Sequence, residues 1–476
     1  MYGAFTEAVP CGAPATDSAS VTSRDLPTTP ESPVRNRSAL VALSLAAAAV
    51  MAAAPLPAAA APGTTSTPGV ASTSRTGSGD CPQLSKKPAW YGHNRARLQR
   101  MIDERGLCGH GHRERGGASP ASRPVAAFDW DNTVVKNDTT DITLAWALDH
   151  DKILRPESWS DTSKWLTKAA ARALGKACGT SVPVGSPLPT AGDTACTDEI
   201  FEIRTEAQTM NGDPAFSGDW NHRRTVPEYA WVAQLFAGHT PDQVRAYAKK
   251  GRKESLAAPV GSEMKVGTHT VPAYVRYYPQ QKDLIRTLQR AGFDVYIVSA
   301  GVEPAAEAWA SGVGIDAGHT IAIRSVLRDG RITTSTEGCG GEPASKGETI
   351  PYIDGKRCWI NQDIYGIKGG AAWERQDEAR RITLGAGDAN TDVTFVRDAT
   401  GSHLVLNRNQ DEVMCRAYDN ADGRWLVNPM FIEPLPRKAN RYPCATSGYI
   451  NEDGSLSAVR RHDGGIVPDQ RDRVFG

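Results

Sequence analysis

The stretch VAAFDWDNTV, Val125 to Val134, limits the fold of this chain more than any other. Its first four residues, Val125 to Phe128, form an apolar run of the kind buried on both faces of a parallel sheet. The run ends in two aspartates one residue apart, Asp129 and Asp131. Carboxylates at a buried strand end repel each other and lose their hydration. A chain that keeps them there needs a compensating charge, and a divalent metal ion is the first candidate.

The same layout recurs downstream. "QQKDLIRTLQRAG" reads as a helix stopped at Gly292, followed by a strand from Val295 to Val298 that ends at Ser299. Ile382 to Leu384 form another apolar strand, followed by Asp388 and Asp392 in "GDANTD"; His403 to Leu406 form a further one. Trp90 to Gly106 places Leu98, Met101 and Ile102 at helical spacing. From Thr139 to about His269 the pattern is helical, as in "DITLAWALDHDKI" and "PEYAWVAQLFAGHTPDQVRAYAKKG". Strands alternating with helices predict a parallel α/β sheet, whose ligands bind at the carboxyl ends of the strands. Asp129 with Asp131, Ser299, and Asp388 with Asp392 all fall at such ends. The long helical insertion reads as a cap above them.

Lys+Arg and Asp+Glu are both 54 in a chain of 476 residues. That balance, with no basic block, argues against a nucleic-acid binder or a membrane-surface protein. Arg35 and Arg37 precede an apolar run from Ala39 to Ala54 and a small-residue site near Ala59 to Ala61, the layout of an export signal over residues 1–61. The apolar run breaks at Pro55, too short for a comfortable membrane span, so no stable membrane insertion is expected after processing. Residues 62–80 read as a flexible linker. Cys11 lies in the leader, and the eight other cysteines are an even set, which in a secreted chain implies disulfides. Spacing alone leaves many pairings open. Pairing of sequence neighbours would join Cys81–Cys108, Cys178–Cys196, Cys339–Cys358 and Cys415–Cys444. "CGHGH", from Cys108 to His112, has metal-ligand residue types but sits in a Gly-rich loop beside an expected disulfide.

The clustered residues suit phosphate chemistry. An aspartate can attack phosphorus and form an aspartyl-phosphate. A second acid nearby can protonate the leaving oxygen and then activate water. Ser299 can donate a hydrogen bond to a phosphoryl oxygen, and a lysine can neutralise developing charge. Mg2+ suits a site of few carboxylates, water and a substrate phosphate.

"DWDNT", "VSAG", a downstream lysine and "GDANTD" resemble, in order, the four motifs of the haloacid dehalogenase superfamily. The resemblance covers about 125–144 and 274–409. It implies a Rossmann-like parallel-sheet core over 125–144 and 274–410, with a helical cap at 145–273 inserted after the first core strand. A helix and loop at 81–124 precede the core, and an extension at 411–476 follows it. The resemblance makes Asp129 the nucleophile and Asp131 the general acid/base, with Ser299 on the phosphate and Thr133, Ala300 and Trp130 beside it. It assigns Mg2+ to Asp129, Asp388 and the Asp131 carbonyl, with Asp392 supporting the metal or the lysine. Dehalogenases of the superfamily lack the second aspartate and its ion-pumping ATPases carry Thr there, so Asp131 points to a phosphatase or phosphotransferase.

For the lysine, Lys356 is favoured because it opens a helical run, whereas Lys346 is followed by Pro351 and Lys368 lies in a Gly-rich loop. Within the superfamily, "FDWDNTVVKNDTTD", "YAWVAQLFAGHTPDQVR", "YYPQQKDLIRTLQRAGFDVYIVSAG" and "NPMFIEPLP" are similar to secreted bacterial phosphorylcholine phosphatases. Those enzymes resemble a Met-containing pattern where Trp130 stands here. A quaternary ammonium is held by aromatic faces, often with a carboxylate near. The cap offers Trp146, Trp159, Trp165, Trp220, Tyr229 and Trp231, with Glu199, Glu202 and Glu228, although large residues also fill helical cores. The expectation is a secreted phosphomonoesterase for a small-molecule ester. A phosphotransferase, or a binding protein that has lost catalysis, are the alternatives. Ser447 to Gly476 reads as a polar tail without a fold of its own.

Overall fold

The computed structural model describes residues 81–108 and 123–476. The export signal, the linker and the two histidines of "CGHGH" lie outside the described residues. Six strands form one sheet: β1 Val125–Phe128, β2 Asp294–Val302, β3 Thr320–Ile323, β4 Leu384–Gly387, β5 Ser402–Asn407 and β6 Trp425–Pro429. Their order is β3-β2-β1-β4-β5-β6, and every neighbouring pair is parallel. The protein is therefore α/β with a Rossmann-like sheet. The chain builds outward from β1 on one side, then returns to lay β4 against β1 and builds the other way. That reversal opens a crevice at the carboxyl ends of β1 and β4.

β1 is apolar throughout because both its faces are covered. Ala126 and Phe128 join the apolar cluster that holds Leu98, Trp231 and Leu284. Val125 and Ala127 join the opposite cluster, with Phe395, Val413 and Val459. β4 begins at Leu384, two residues later than the apolar run suggested; Thr383 donates its N–H to the Val125 carbonyl at 2.7 Å just before the ladder starts.

Eleven α-helices occur among the described residues: α1 Asn94–Arg105, α2 Thr139–Asp149, α3 Lys168–Cys178, α4 Thr194–Glu206, α5 Pro227–Gln234, α6 Pro241–Ala257, α7 Pro279–Arg290, α8 Glu303–Ala310, α9 Asp354–Trp359, α10 Val393–Asp398 and α11 Asp411–Asp419. Helices α2 to α7 lie between β1 and β2. Local chemistry starts them. Thr240 caps α6, with Gln243 closing a capping box and Pro241 in the first turn; the Asp193 carboxylate caps α4 through the Cys196 N–H. None of the described helices is long and apolar enough to cross a membrane.

A hairpin of Ser325–Arg328 with Arg331–Thr336 follows β3 and was not anticipated. Its sequence signal was present: the Asp329-Gly330 turn, both residues in the left-handed region, is a strong hairpin cue. The hairpin docks on the inserted helices, where Gly238 and His239 exchange backbone hydrogen bonds with Ile332 at 2.8 Å.

Four disulfides join Cys81–Cys108, Cys178–Cys196, Cys339–Cys358 and Cys415–Cys444, the sequence-neighbour pairing. The C-terminal region departs from expectation. It supplies β6, one edge strand of the sheet, and its last segment is packed rather than a loose polar tail. Val459 and Val467 are buried against α11, although mostly polar residues surround them in sequence. Tyr418 on α11 donates to the buried Asp472 carboxylate at 2.6 Å and accepts from the Val474 N–H at 3.0 Å.

That contact yields a prediction. Tyr418→Phe leaves Asp472 and the backbone beside it short of partners, so stability should fall by about 1–3 kcal/mol. Urea denaturation measures the loss, and limited proteolysis should show cleavage beyond residue 446 that the parent chain resists.

Candidate active site

Strand register brings the polar clusters together. Phe128 lies opposite Ala386 of β4 on one side and Ile297 of β2 on the other. Asp129, one residue further, therefore emerges between the strand ends that carry Asp388 and Ser299. Its N–H donates to the Ala386 carbonyl at 2.8 Å, which holds it against β4. The chain then turns sharply. Thr133, Val134 and Val135 all direct their N–H groups to the Trp130 carbonyl, and Asn132 takes a left-handed backbone, which asparagine tolerates. This turn sends Asp131 toward α2, where its Oδ1 accepts the Thr139 N–H at 2.7 Å. The first N–H of a helix thus orients the second aspartate.

Lys356 is fully buried at the centre of the site. Its Nζ lies 2.6 Å from Asp129 Oδ1 and 2.7 Å from Asp392 Oδ1. Lys346 is elsewhere, with its Nζ on the Asp161 carbonyl and Thr334 Oγ1, and Lys368 is exposed. Ile353, just before α9, holds a left-handed backbone that a β-branched residue rarely adopts. Such strain costs about 1–3 kcal/mol and is held here by burial and by the Ile353 N–H on the Thr391 carbonyl at 2.9 Å. The consequence is that α9 starts where its lysine reaches Asp129.

Asp392 is anchored on both oxygens. Oδ1 takes Lys356 and the Thr391 hydroxyl, and Oδ2 takes the N–H groups of Asp388 and Ala389 at 3.0 Å each. Gly387 permits this closeness, since a Cβ there would run into the Asp392 side chain. Asp388 accepts from Thr133 Oγ1 on one oxygen and from Arg408 on the other, both at 2.7 Å. Ser299, buried at the end of the sheet, accepts the Gly301 N–H at 3.0 Å, and a Cβ at Gly301 would strike Thr140.

The ionisable groups shape one another. Burial pushes the Asp129 carboxyl up to about 6; Lys356 pulls it down and Asp388 pushes it further up. Asp131 is raised well above the usual carboxylate range by burial and by Asp138. Asp388 and Asp392 are also raised by burial. Burial alone would lower the Lys356 ammonium, yet Asp129 and Asp392 hold it above the usual lysine value.

The donor set fits a hard cation. Asp129, Asp388 and Asp392 each bring one carboxylate oxygen within 4.8 Å of the others. Asp392 has both oxygens committed and does not line the cavity, so Asp129 and Asp388 are the carboxylates of this group that face it. Among the described residues, Asp129, Asp131, Asp388 and Asp392 face only Lys356 and Arg408 as close cations, a deficit of two charges if all ionise. A divalent ion would offset it.

Above these groups lies a cavity of about 400 Å³. Asp129, Asp131, Ser299, Ala300 and Asp388 line it, together with Arg204, Glu228 and Tyr229 from the inserted helices. Trp130 and Thr133 do not line it. The Trp130 ring is buried at the edge of Tyr277, and Thr133 spends its hydroxyl on Asp388. Of the aromatic residues proposed for a cationic head group, Tyr229 alone reaches the cavity, and Arg204 sits over its ring at 4.8 Å. Arg204 also pairs with Asp141 at 2.9 Å. Sequence reasoning missed Arg204, Arg408, Asp138 and Asp141. Arg408 had a signal, since it follows the end of β5 as the other site residues follow their strands. Arg204 had none, being one arginine on a long helical insertion.

No protein-family model matches this chain, and no curated protein matches its sequence. Among solved structures it is similar to a conserved protein of unknown function from Anaerococcus prevotii DSM 20548, at 17% identity and TM-score 0.47 over 72% of this chain and 93% of that one. A protein of unknown function from Bordetella pertussis Tohama I follows, at 18% identity and TM-score 0.37 over 65% of this chain and 100% of that one. A substrate-bound phosphoserine phosphatase shares 13% identity at TM-score 0.26 over 60% of this chain and 86% of that one. Likenesses at this level assign no reaction, so the functional reading rests on the site itself.

Lys356→Met should expose how the site is held together. Two buried carboxylates lose their shared cation, so stability without added metal should fall by about 3–5 kcal/mol in urea denaturation. A loss under about 1 kcal/mol would show that the carboxylates simply take up protons instead.

Proposed function

We propose that this chain is an exported, Mg2+-dependent phosphomonoesterase of the haloacid dehalogenase superfamily, acting on a small phosphate ester through an aspartyl-phosphate. The observation that carries the reading is Lys356 shared between Asp129 and Asp392 beneath a cavity edged by Asp131, Ser299 and Asp388. Their convergence supports the motif assignment that the resemblance implies. Four disulfides suit an oxidising compartment outside the cytosol.

In this reading Asp129 attacks phosphorus, the ester P–O bond breaks, and Asp131 delivers its proton to the departing oxygen. Asp131, now a base, takes a proton from water, whose oxygen attacks phosphorus and frees Asp129. Ser299 donates to a phosphoryl oxygen, and Lys356 keeps Asp129 ionised and oriented. Bound Mg2+, held by Asp129, Asp388 and the Asp131 carbonyl, would supply positive charge that lets a phosphate dianion approach a carboxylate. The helical segment 145–273 acts as the cap. Phosphocholine is one candidate substrate; its head group would meet Asp138, Asp141 and Glu228 rather than a tryptophan cage.

Phosphate release from a panel of small esters, phosphocholine included, tests the reading. Turnover should need Mg2+ and stop with chelator. Asp129→Asn should reduce it on the order of 10⁴-fold or more. Asp131→Asn should slow kcat by about 10²–10⁴-fold. Full activity of Asp129→Asn would sink the aspartyl-phosphate route.

A further inference from the structure

The catalytic cavity adjoins a second one of about 370 Å³. Asn132, Asp138, Asp141, Thr205 and Arg408 line both, so the two share a wall of polar residues. Beyond that wall the chemistry changes. Ile142 on α2, Phe201 on α4, Met264 and Val271 of the 263–272 hairpin, and Met430 and Leu435 after β6 line the second chamber, with Lys136 and Asn137 its own polar residues. Ile142, Phe201 and Met430 are buried, while Met264, Val271 and Leu435 are half-buried at its open side. Four separate parts of the chain thus contribute apolar side chains to one space next to the reacting groups. Apolar walls open to water gain free energy when an apolar group fills them.

We infer that the second chamber receives the leaving group, and that the substrate class is a phosphomonoester of an apolar alcohol. The inference rests on the phosphomonoesterase reading above. Asn132, which lines both chambers, directly follows Asp131 in the chain, so the shared wall lies next to the residue proposed to protonate the departing oxygen. When the P–O bond breaks, Asp129 keeps the phosphoryl group, the oxygen takes the Asp131 proton, and the alcohol is left on the apolar side. A cationic head group such as choline meets no cage there, because none of the insertion's tryptophans lines either chamber.

The test is kcat/KM of the purified chain with Mg2+ on unbranched alkyl phosphates from methyl to octyl, with phosphocholine alongside. The value should rise by at least about tenfold along the series, and octyl phosphate should exceed phosphocholine by a similar factor. Val271→Glu and Leu435→Glu, at half-buried wall positions, should each reduce the octyl-to-methyl ratio by about tenfold, chiefly through KM. A flat series, a preference for phosphocholine, or a ratio that neither substitution moves overturns the inference and leaves the phosphomonoesterase reading standing. No turnover of any ester by folded protein overturns that reading, and the inference with it.

Discussion

The Lys356 ammonium, out of contact with water and shared between Asp129 and Asp392, is the interaction on which the site depends. A buried charge is tolerated only when its partners are close and well hydrogen-bonded. Each partner here is fixed by backbone: Asp129 by the Ala386 carbonyl, Asp392 by the N–H groups that follow β4. The lysine is fixed in turn by the strained entry at Ile353, by the Cys339–Cys358 bridge, and by Asp354, whose carboxylate pairs with Arg223 at 2.8 Å. Arg223 reaches on to Glu412 at 3.0 Å, so the inserted segment, α9 and α11 are tied to one buried network. Loss of any member would leave another charge stranded, which explains why so many elements converge on a few atoms.

The sheet supplies the position and the helices supply the direction. β1 lies between β2 and β4, so the loops that carry Ser299 and Asp388 must flank Asp129. Two carboxylates spaced by one residue would otherwise share one fate. The left-handed Asn132 and the start of α2 separate them, leaving Asp129 against a lysine and Asp131 against a helix N–H. Burial raises both carboxyls, with Lys356 drawing Asp129 back down and Asp138 pushing Asp131 further up.

Much of this was legible in the chain because its causes are local. An apolar run ending in Asp129 and Asp131, and a Gly-flanked "GDANTD", announce strand ends whatever surrounds them. Lys356 could be favoured over Lys346 and Lys368 because a helix start is a local feature. The Asp329-Gly330 hairpin was equally legible and went unread. Arg204 was not legible: an arginine on a helix becomes part of a site only when the helix is folded over it. Trp130 shows the converse. Its place between two aspartates suggested contact with substrate, but the turn at Asn132 directs its ring into the core against Tyr277.

Residue order alone settled the α/β class and the chemistry of the strand ends, since hydrophobic period and the cost of burying charge act within a few residues. Tertiary structure settled which lysine meets Asp129, which carboxylates face the cavity, and that Val459 and Val467 hold a polar-looking segment in the core. It also placed Arg408 on Asp388 and set an apolar chamber beside a charged one. Those outcomes join residues far apart in sequence, and their energies exist only once the chain has closed on itself.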